Sequence, residues 1–245
     1  MRLKRFIPNL LTLLNLLSGT IAAILAVENQ LILAAYFVFL GIFFDFFDGL
    51  AARLLKVQGE LGTQLDSLAD VVTSGVVPGI VMYQLLLNKN NNELFNNDVI
   101  SWDNEFSFLP YFGLIITLGA AYRLAKFNID TRQTTSFIGL PTPASALVVL
   151  SFPLILTYTD SEFVINLIEN KWFLLVVTAL LTYLMNAELP LFALKFKNFS
   201  WKDNKDKFIF IALVLVLVIL LEFIAIPLII LLYVLMSLVK TKLKY

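Results

Sequence analysis

DFFDGLAARLLKVQGELGTQLDSLAD, running from Asp45 to Asp70, places four carboxylates inside two otherwise apolar helical segments. Laid on a helix at 100° per residue, Asp45, Asp48, Gly49 and Ala52 fall within roughly 100° of one another, while Phe46, Phe47, Leu50 and Ala51 point elsewhere. Past a short turn, Gly62, Asp66 and Asp70 again share one face, about 80° wide by the same geometry. A carboxylate in hydrocarbon is expensive and normally faces a bundle interior or a watery cavity with a partner. Only Arg53 and Lys56 are close in sequence, so either cations from elsewhere in a helical bundle pair with these acids or a divalent metal does. Hard oxygen ligands of this kind suit Mg²⁺, Mn²⁺ or Ca²⁺ rather than a thiol-seeking metal.

Working outward, the composition fits a membrane setting. The chain has 245 residues, 59% of them apolar, and a mean hydropathy of +0.85, far above an ordinary soluble domain. Formal net charge is zero, so no overall field points to nucleic acid. The absence of cysteine excludes disulfides and thiolate metal sites, and the absence of histidine excludes imidazole acid–base catalysis and His-based triads. Any general base must be a carboxylate, a lysine, a tyrosine or the substrate itself.

Arg2, Lys4 and Arg5 lead into Pro8-Asn9 and an apolar run to Val27. No small-residue cleavage site followed by a soluble domain succeeds it, so a first transmembrane helix is expected rather than a secretory signal. Its Thr12, Asn15 and Gly19 form a polar, small-residue stripe suited to helix packing. Further helices are expected at about 31–55, 61–87, 108–127, 144–158 and 172–187, with Pro78-Gly79 bending the third. Residues 88–107, rich in asparagine, and 160–171 read as acidic loops outside the membrane, and 195–207 as a basic loop. The apolar run 208–239 would be about 48 Å long as one helix, more than a hydrocarbon core of roughly 30 Å. Glu222 and Pro227 near its middle suggest two spans meeting in a tight turn. The expected fold is therefore an all-α, polytopic membrane bundle of about eight transmembrane helices. Sixteen of the eighteen lysines and arginines then fall on one side, leaving Lys89 and Lys171 on the other. That bias makes the basic side, with the turn between the acid-bearing helices, cytoplasmic.

The pattern Asp45-x2-Asp48-Gly49-x2-Ala52-Arg53-x8-Gly62-x3-Asp66-x3-Asp70 resembles the signature of the CDP-alcohol phosphotransferases, with every fixed position present. Pro8-Asn9, Thr12, Asn15 and Gly19 are similar to a pattern that often precedes the catalytic helices of that family. The resemblance implies a CDP-linked alcohol as donor, CMP as leaving group, and a metal site of Asp45, Asp48, Asp66 and Asp70 holding one or two Mg²⁺ or Mn²⁺ ions. Asp70 is then the catalytic general base toward the acceptor hydroxyl, with direct attack preferred over an aspartyl-phosphate intermediate. Two such metals clamp an in-line displacement at phosphorus. Asn9, Thr12, Gly49, Ala52, Arg53 and Gly62 are implied to receive the nucleotide and diphosphate. From the residues alone, the glycines equally suit close helix packing, and Arg53 could snorkel to the interface.

Arg123-Leu-Ala-Lys126-Phe127-Asn128, Phe137-Ile-Gly139-Leu140-Pro141-Thr-Pro143 and the run Asp70 to Pro78 resemble the branch of the family that makes phosphatidylserine. This implies CDP-diacylglycerol and L-serine as substrates, the bilayer as partner, a homodimer, and an inner-membrane enzyme with a cytoplasmic active site. Arg123 and Lys126 are expected near the acceptor or a phosphate, unless both are headgroup anchors; Lys126 stands where the branch often has arginine. Residues 1–160 are expected to form the catalytic core and 161–245 to add helices to the same membrane domain. The alternatives are a sister transferase using glycerol 3-phosphate, inositol phosphate or choline, a cation-coupled transporter, and a membrane prenyltransferase. The last two leave Gly49-x2-Ala52-Arg53 unexplained.

Overall fold

The structure is a computed structural model that describes residues 2–87, 108–130, 137–191 and 201–242. The expected asparagine-rich loop and residues 195–200 of the expected basic loop lie outside the described residues; from Trp201 onward that segment is helical rather than loop. The described chain is almost entirely helical. Helices α1 (Arg2–Val27) and α2 (Leu31–Leu54) are joined by a turn in which Asn29 takes a φ of 59°. They pack antiparallel through Ala22 and Ala26 on α1 and Ala34, Ala35 and Val38 on α2, all fully buried. Small side chains let the two backbones approach closely, the usual device where lipid supplies no hydrophobic drive between helices.

After residues 55–59, α3 (Glu60–Asp70) runs through a π-helical turn, Val71–Val76, into α4 (Val77–Leu87). The irregularity thus precedes Pro78-Gly79 rather than lying at it. Pro78 has no N–H to offer the carbonyl of Ser74, so the α-helical ladder cannot continue across this point. The loosened turn is secured by Thr117, whose hydroxyl donates to the Gly75 carbonyl at 3.0 Å. A 3₁₀ turn, Leu109–Leu114, then leads into α5 (Ile115–Ile129), which packs on the π turn and on α8 (Lys171–Asn186).

A two-residue strand β1 (Phe137–Ile138) pairs antiparallel with β2 (Pro190–Leu191). Gly139, at a φ of 75°, carries the chain from β1 across the end of α8; a Cβ there would strike the carbonyls of Met185 and Ala187. Helix α6 (Thr142–Tyr158) follows. The segment expected as an acidic loop contains α7 (Glu162–Glu169), bent by 70° from α8. Glu162 in its first turn suits the helix dipole, and Ile168 is buried with Val164 packed against the same core, an i, i+4 apolar pair.

Among the described residues, four helical segments are long and apolar enough to cross a membrane, or five with α7 and α8 taken as one bent span, against the eight spans expected. One of these, Lys207–Val239, is doubled back on itself. Between α9 (Trp201–Leu221) and α10 (Ala225–Lys242) lies a 3₁₀ turn at which Glu222 has a φ of 47°. The rings of Phe210 and Tyr233 are 5.9 Å apart, whereas 23 residues of continuous helix would separate them by about 35 Å. The expected hairpin is present.

Candidate active site

Asp45 and Asp48 lie in the last three turns of α2, and Asp66 lies in α3. Carboxylate oxygens of these three residues come within 4.8 Å of one another. Asp48 is buried, and its Oδ2 accepts a 2.5 Å hydrogen bond from the Thr12 hydroxyl of α1. Asp70, one helical turn beyond Asp66, stands outside this trio and accepts from Asn15 Nδ2 at 3.3 Å. Among the described residues no lysine or arginine forms an ion pair with any of the four acids; Lys126 pairs instead with Glu188 at 3.5 Å. Bringing bare carboxylates together in an apolar layer is unfavourable unless a cation joins them. An all-oxygen, all-carboxylate donor set therefore fits a hard divalent ion, held by Asp45, Asp48 and Asp66.

These acids line a cleft of about 700 Å³ between α1, α2 and α3. Asn9, Thr12, Gly49, Ala52, Arg53 and Gly62 line the same cleft, so all six residues expected around a nucleotide diphosphate are together. Gly49 separates the two roles left open for a glycine here. A Cβ built on it meets nothing within 4 Å, so its missing side chain serves no helix contact and leaves the cleft floor open. At Gly62 the nearest atom would be Asn9 Oδ1, at an ordinary 3.7 Å. Arg53 is exposed at the rim, where its Nε donates to the Gly49 carbonyl at 3.0 Å.

The two expected acceptor residues are placed differently. Arg123 is only 8% exposed, its Nε is buried without a hydrogen-bond partner, and its charge acts on Asp70. Lys126 is half-buried and turned to Glu188. Three contributors went unassigned in the sequence: Asn15 as the partner of Asp70, Phe127 as a wall of the cleft beneath Arg123 (5.8 Å from guanidinium to ring), and the Ser67–Asn128 pair tying α3 to α5 at 2.9 Å. Asn15 and Asn128 stood inside motifs, but a partner on another helix leaves no trace in spacing.

The model of the CDP-alcohol phosphatidyltransferase family matches residues 5–194. The chain belongs to this family. It is similar to the CDP-diacylglycerol–serine O-phosphatidyltransferase of Bacillus subtilis (strain 168), 35% identical over 153 residues, 60% of this chain and 76% of that protein. It is also similar to the archaetidylserine synthase of Methanothermobacter thermautotrophicus, 30% identical over 158 residues, 63% of this chain and 60% of that one. A third relative, the CDP-diacylglycerol–serine O-phosphatidyltransferase of Helicobacter pylori (strain J99), is 32% identical over 145 residues, 58% of this chain and 55% of that protein. The chain thus spans less than two thirds of the latter two.

Proposed function

We propose that this chain transfers the phosphatidyl group of CDP-diacylglycerol to the hydroxyl of L-serine, giving phosphatidylserine and CMP. The observation that carries the proposal is the carboxylate trio on the wall of an open cleft that Asn9, Thr12, Gly49, Ala52, Arg53 and Gly62 also line, in a chain of this family. The names of the relatives support the substrates: all three carry serine, whereas the lipid differs between diacylglycerol and archaeal types.

Asp45, Asp48 and Asp66, with Asp70 beside them, would hold one or two Mg²⁺ or Mn²⁺ ions. When bound, the metal neutralises the donor diphosphate and stabilises the charge that develops on CMP. Around it, Asn9, Thr12, Gly49, Ala52, Arg53 and Gly62 receive the nucleotide and diphosphate. Asp70 takes the proton of the serine hydroxyl as its oxygen attacks the lipid-bearing phosphorus. The new oxygen–phosphorus bond forms as the bond to the bridging oxygen breaks, and CMP leaves with that electron pair. Arg123, buried near Asp70, supplies the cation that a serine carboxylate or a donor phosphate needs; Lys126, already paired, acts at longer range.

We assign the protein eight crossings of the inner membrane, with the cleft on the cytoplasmic side. The hairpin of α9 and α10 supports the count, and the one-sided distribution of lysine and arginine supports the orientation. Residues 1–160 form the catalytic core in this reading, 161–245 add helices to the same domain, and the working unit is a homodimer. The experiment that tests the function is release of CMP from CDP-diacylglycerol by the purified chain, with serine, glycerol 3-phosphate or inositol added separately. Serine-dependent release that stops with a chelator and returns with added Mg²⁺ or Mn²⁺ is expected. Release driven by another acceptor alone would overturn the assignment.

A further inference from the structure

Asn15 has no solvent exposure. A bare amide inside a helical bundle is costly unless both of its ends are engaged, and here both are. Nδ2 donates to Asp70 Oδ1 at 3.3 Å, and Oδ1 accepts from the Thr73 hydroxyl at 2.8 Å. An ionised carboxylate only accepts hydrogen bonds, so the amide nitrogen must face Asp70. The single hydroxyl proton of Thr73 has its shortest available acceptor in Asn15 Oδ1, ahead of the Ala69 carbonyl at 3.0 Å. That bond prevents the amide from turning over. Thr73 is itself set in the π-helical turn that follows Asp70.

The surroundings leave this pair no other arrangement. A Cβ on Gly19 would lie 2.5 Å from Thr73 Oγ1, and one on Gly41 would lie 2.9 Å from Asn15 Oδ1 and 2.8 Å from Thr73 Cγ2. Two glycines, one on α1 and one on α2, thus make the space that the Asn15–Thr73 pair fills. Three residues before Asn15 on the same helix, Thr12 contacts Asp48. Helix α1 therefore gives one polar side chain to an acid on α2 and one to an acid on α3.

We infer that Asn15, locked by Thr73, is a positioning residue that holds the Asp70 carboxylate in the orientation from which it accepts the proton of the acceptor hydroxyl. This rests on the phosphatidyl-transfer reading, in which Asp70 is the base. One Asp70 oxygen accepts from the amide, and the other is left for the acceptor proton and the metal site.

The test compares kcat, KM for each substrate and Tm for Asn15→Leu, Thr73→Val, Thr73→Ser and the Asn15→Leu/Thr73→Val double variant, using serine-dependent CMP release. Loss of a hydrogen bond to a charged group predicts a fall in kcat of about 10- to 100-fold for Asn15→Leu, with the KM for CDP-diacylglycerol little changed. Thr73→Val, which keeps the amide but frees its orientation, should lose about 3- to 10-fold, and Thr73→Ser should recover most of that loss. The double variant should be no worse than Asn15→Leu alone, since the two act through one chain of bonds. A purely structural role would instead lower Tm and give additive losses. Wild-type kcat in Asn15→Leu, additive losses in the double variant, or equal losses in Thr73→Ser and Thr73→Val would each overturn the inference. If Asn15→Leu does not fold, the comparison of Thr73→Val with Thr73→Ser decides. Wild-type protein that releases no CMP with serine would overturn the transfer reading and this inference with it. An active wild type with indifferent variants overturns this inference alone.

Discussion

Substituting Gly49 should separate stability from activity. The residue lies inside α2, where glycine is less favourable than alanine by about 1 kcal/mol. A Cβ there meets nothing within 4 Å, so the folded state has no reason to resist it. Gly49→Ala is therefore expected to raise Tm by about 2–4 °C for a chain of this size. The same methyl group projects into the cleft beside Asp45, Asp48 and Arg53. If donor phosphate approaches the α2 backbone there, the overlap should cost about 1–3 kcal/mol, as overpacking does elsewhere, or roughly 5- to 150-fold in kcat/KM for CDP-diacylglycerol. Gly49→Leu should abolish release. Gly19→Ala is the control with the opposite signature: its Cβ would fall 3.1 Å from Thr73 Cα, a backbone atom that cannot move aside cheaply, so Tm should drop. Thermal unfolding in detergent and CMP release on the same samples read both quantities. A Gly49→Ala protein that unfolds as early as Gly19→Ala, or one that keeps full kcat/KM for the donor, would refute the view that this glycine exists to leave room for substrate.

Three further outcomes are expected. Asp66→Asn should end CMP release without loss of folding, because it removes charge from the trio while keeping its shape; retained turnover would remove Asp66 from the chemistry. Arg123→Ala should lower kcat/KM by about 30-fold or more, the cost of truncating one partner of a buried charge pair being about 2–5 kcal/mol, whereas Lys126→Ala, in a half-exposed pair, should change it less than about 5-fold. A rise confined to the KM for serine would place the acceptor carboxylate at Arg123, and wild-type kinetics would show that it binds neither substrate. For orientation, a cysteine at Ser161 should react with an impermeant thiol reagent in intact cells and one at Glu60 should not; the chain has no cysteine of its own to confuse the result, and the reverse pattern would put the cleft outside.

Much of this site was legible in the sequence because helical periodicity is local. Asp45, Asp48, Gly49 and Ala52 share a face whatever they pack against, and a short turn to Gly62 and Asp66 forces the two faces to meet. The hairpin of α9 and α10 was legible for a similar reason: an apolar run too long for the bilayer, with Glu222 and Pro227 at its middle, has to fold back. What escaped depends on contacts between distant segments. The π turn at 71–76 depends on Thr117 of another helix as well as on Pro78 downstream, and only the proline is visible in the local sequence. Asp70 is the third member of the i, i+4 series Gly62, Asp66, Asp70, yet it stands apart from the trio with Asn15 of α1 as its partner. Arg123 and Lys126, three residues apart in one motif, carry equal weight in a charge count; only packing shows that one is buried near Asp70 and the other pairs with Glu188. Helix α7 reads as loop in the sequence because its acids outweigh a short apolar face that matters only once Ile168 reaches the core.

The antiparallel pairing of α1 and α2 divides labour along a single interface. Near the turn that joins them, Ala22 and Ala26 face Ala34, Ala35 and Val38, and the helices close tightly. In the middle, Asn15 and Gly41 meet at Thr73. At the far end, Asn9 and Thr12 line the cleft together with Asp48, Gly49 and Ala52, and Thr12 still holds Asp48. Small residues recur throughout, with different consequences: alanines that are filled around, glycines that a polar pair occupies, and a glycine with nothing against it. The closed end fixes the register, and with it which α1 side chain meets which acid. A one-residue slip of α1 would turn Thr12 and Asn15 about 100° away from Asp48 and Asp70. The alanine contacts, although they lie far from the chemistry, therefore determine the geometry in which the carboxylates meet their substrate.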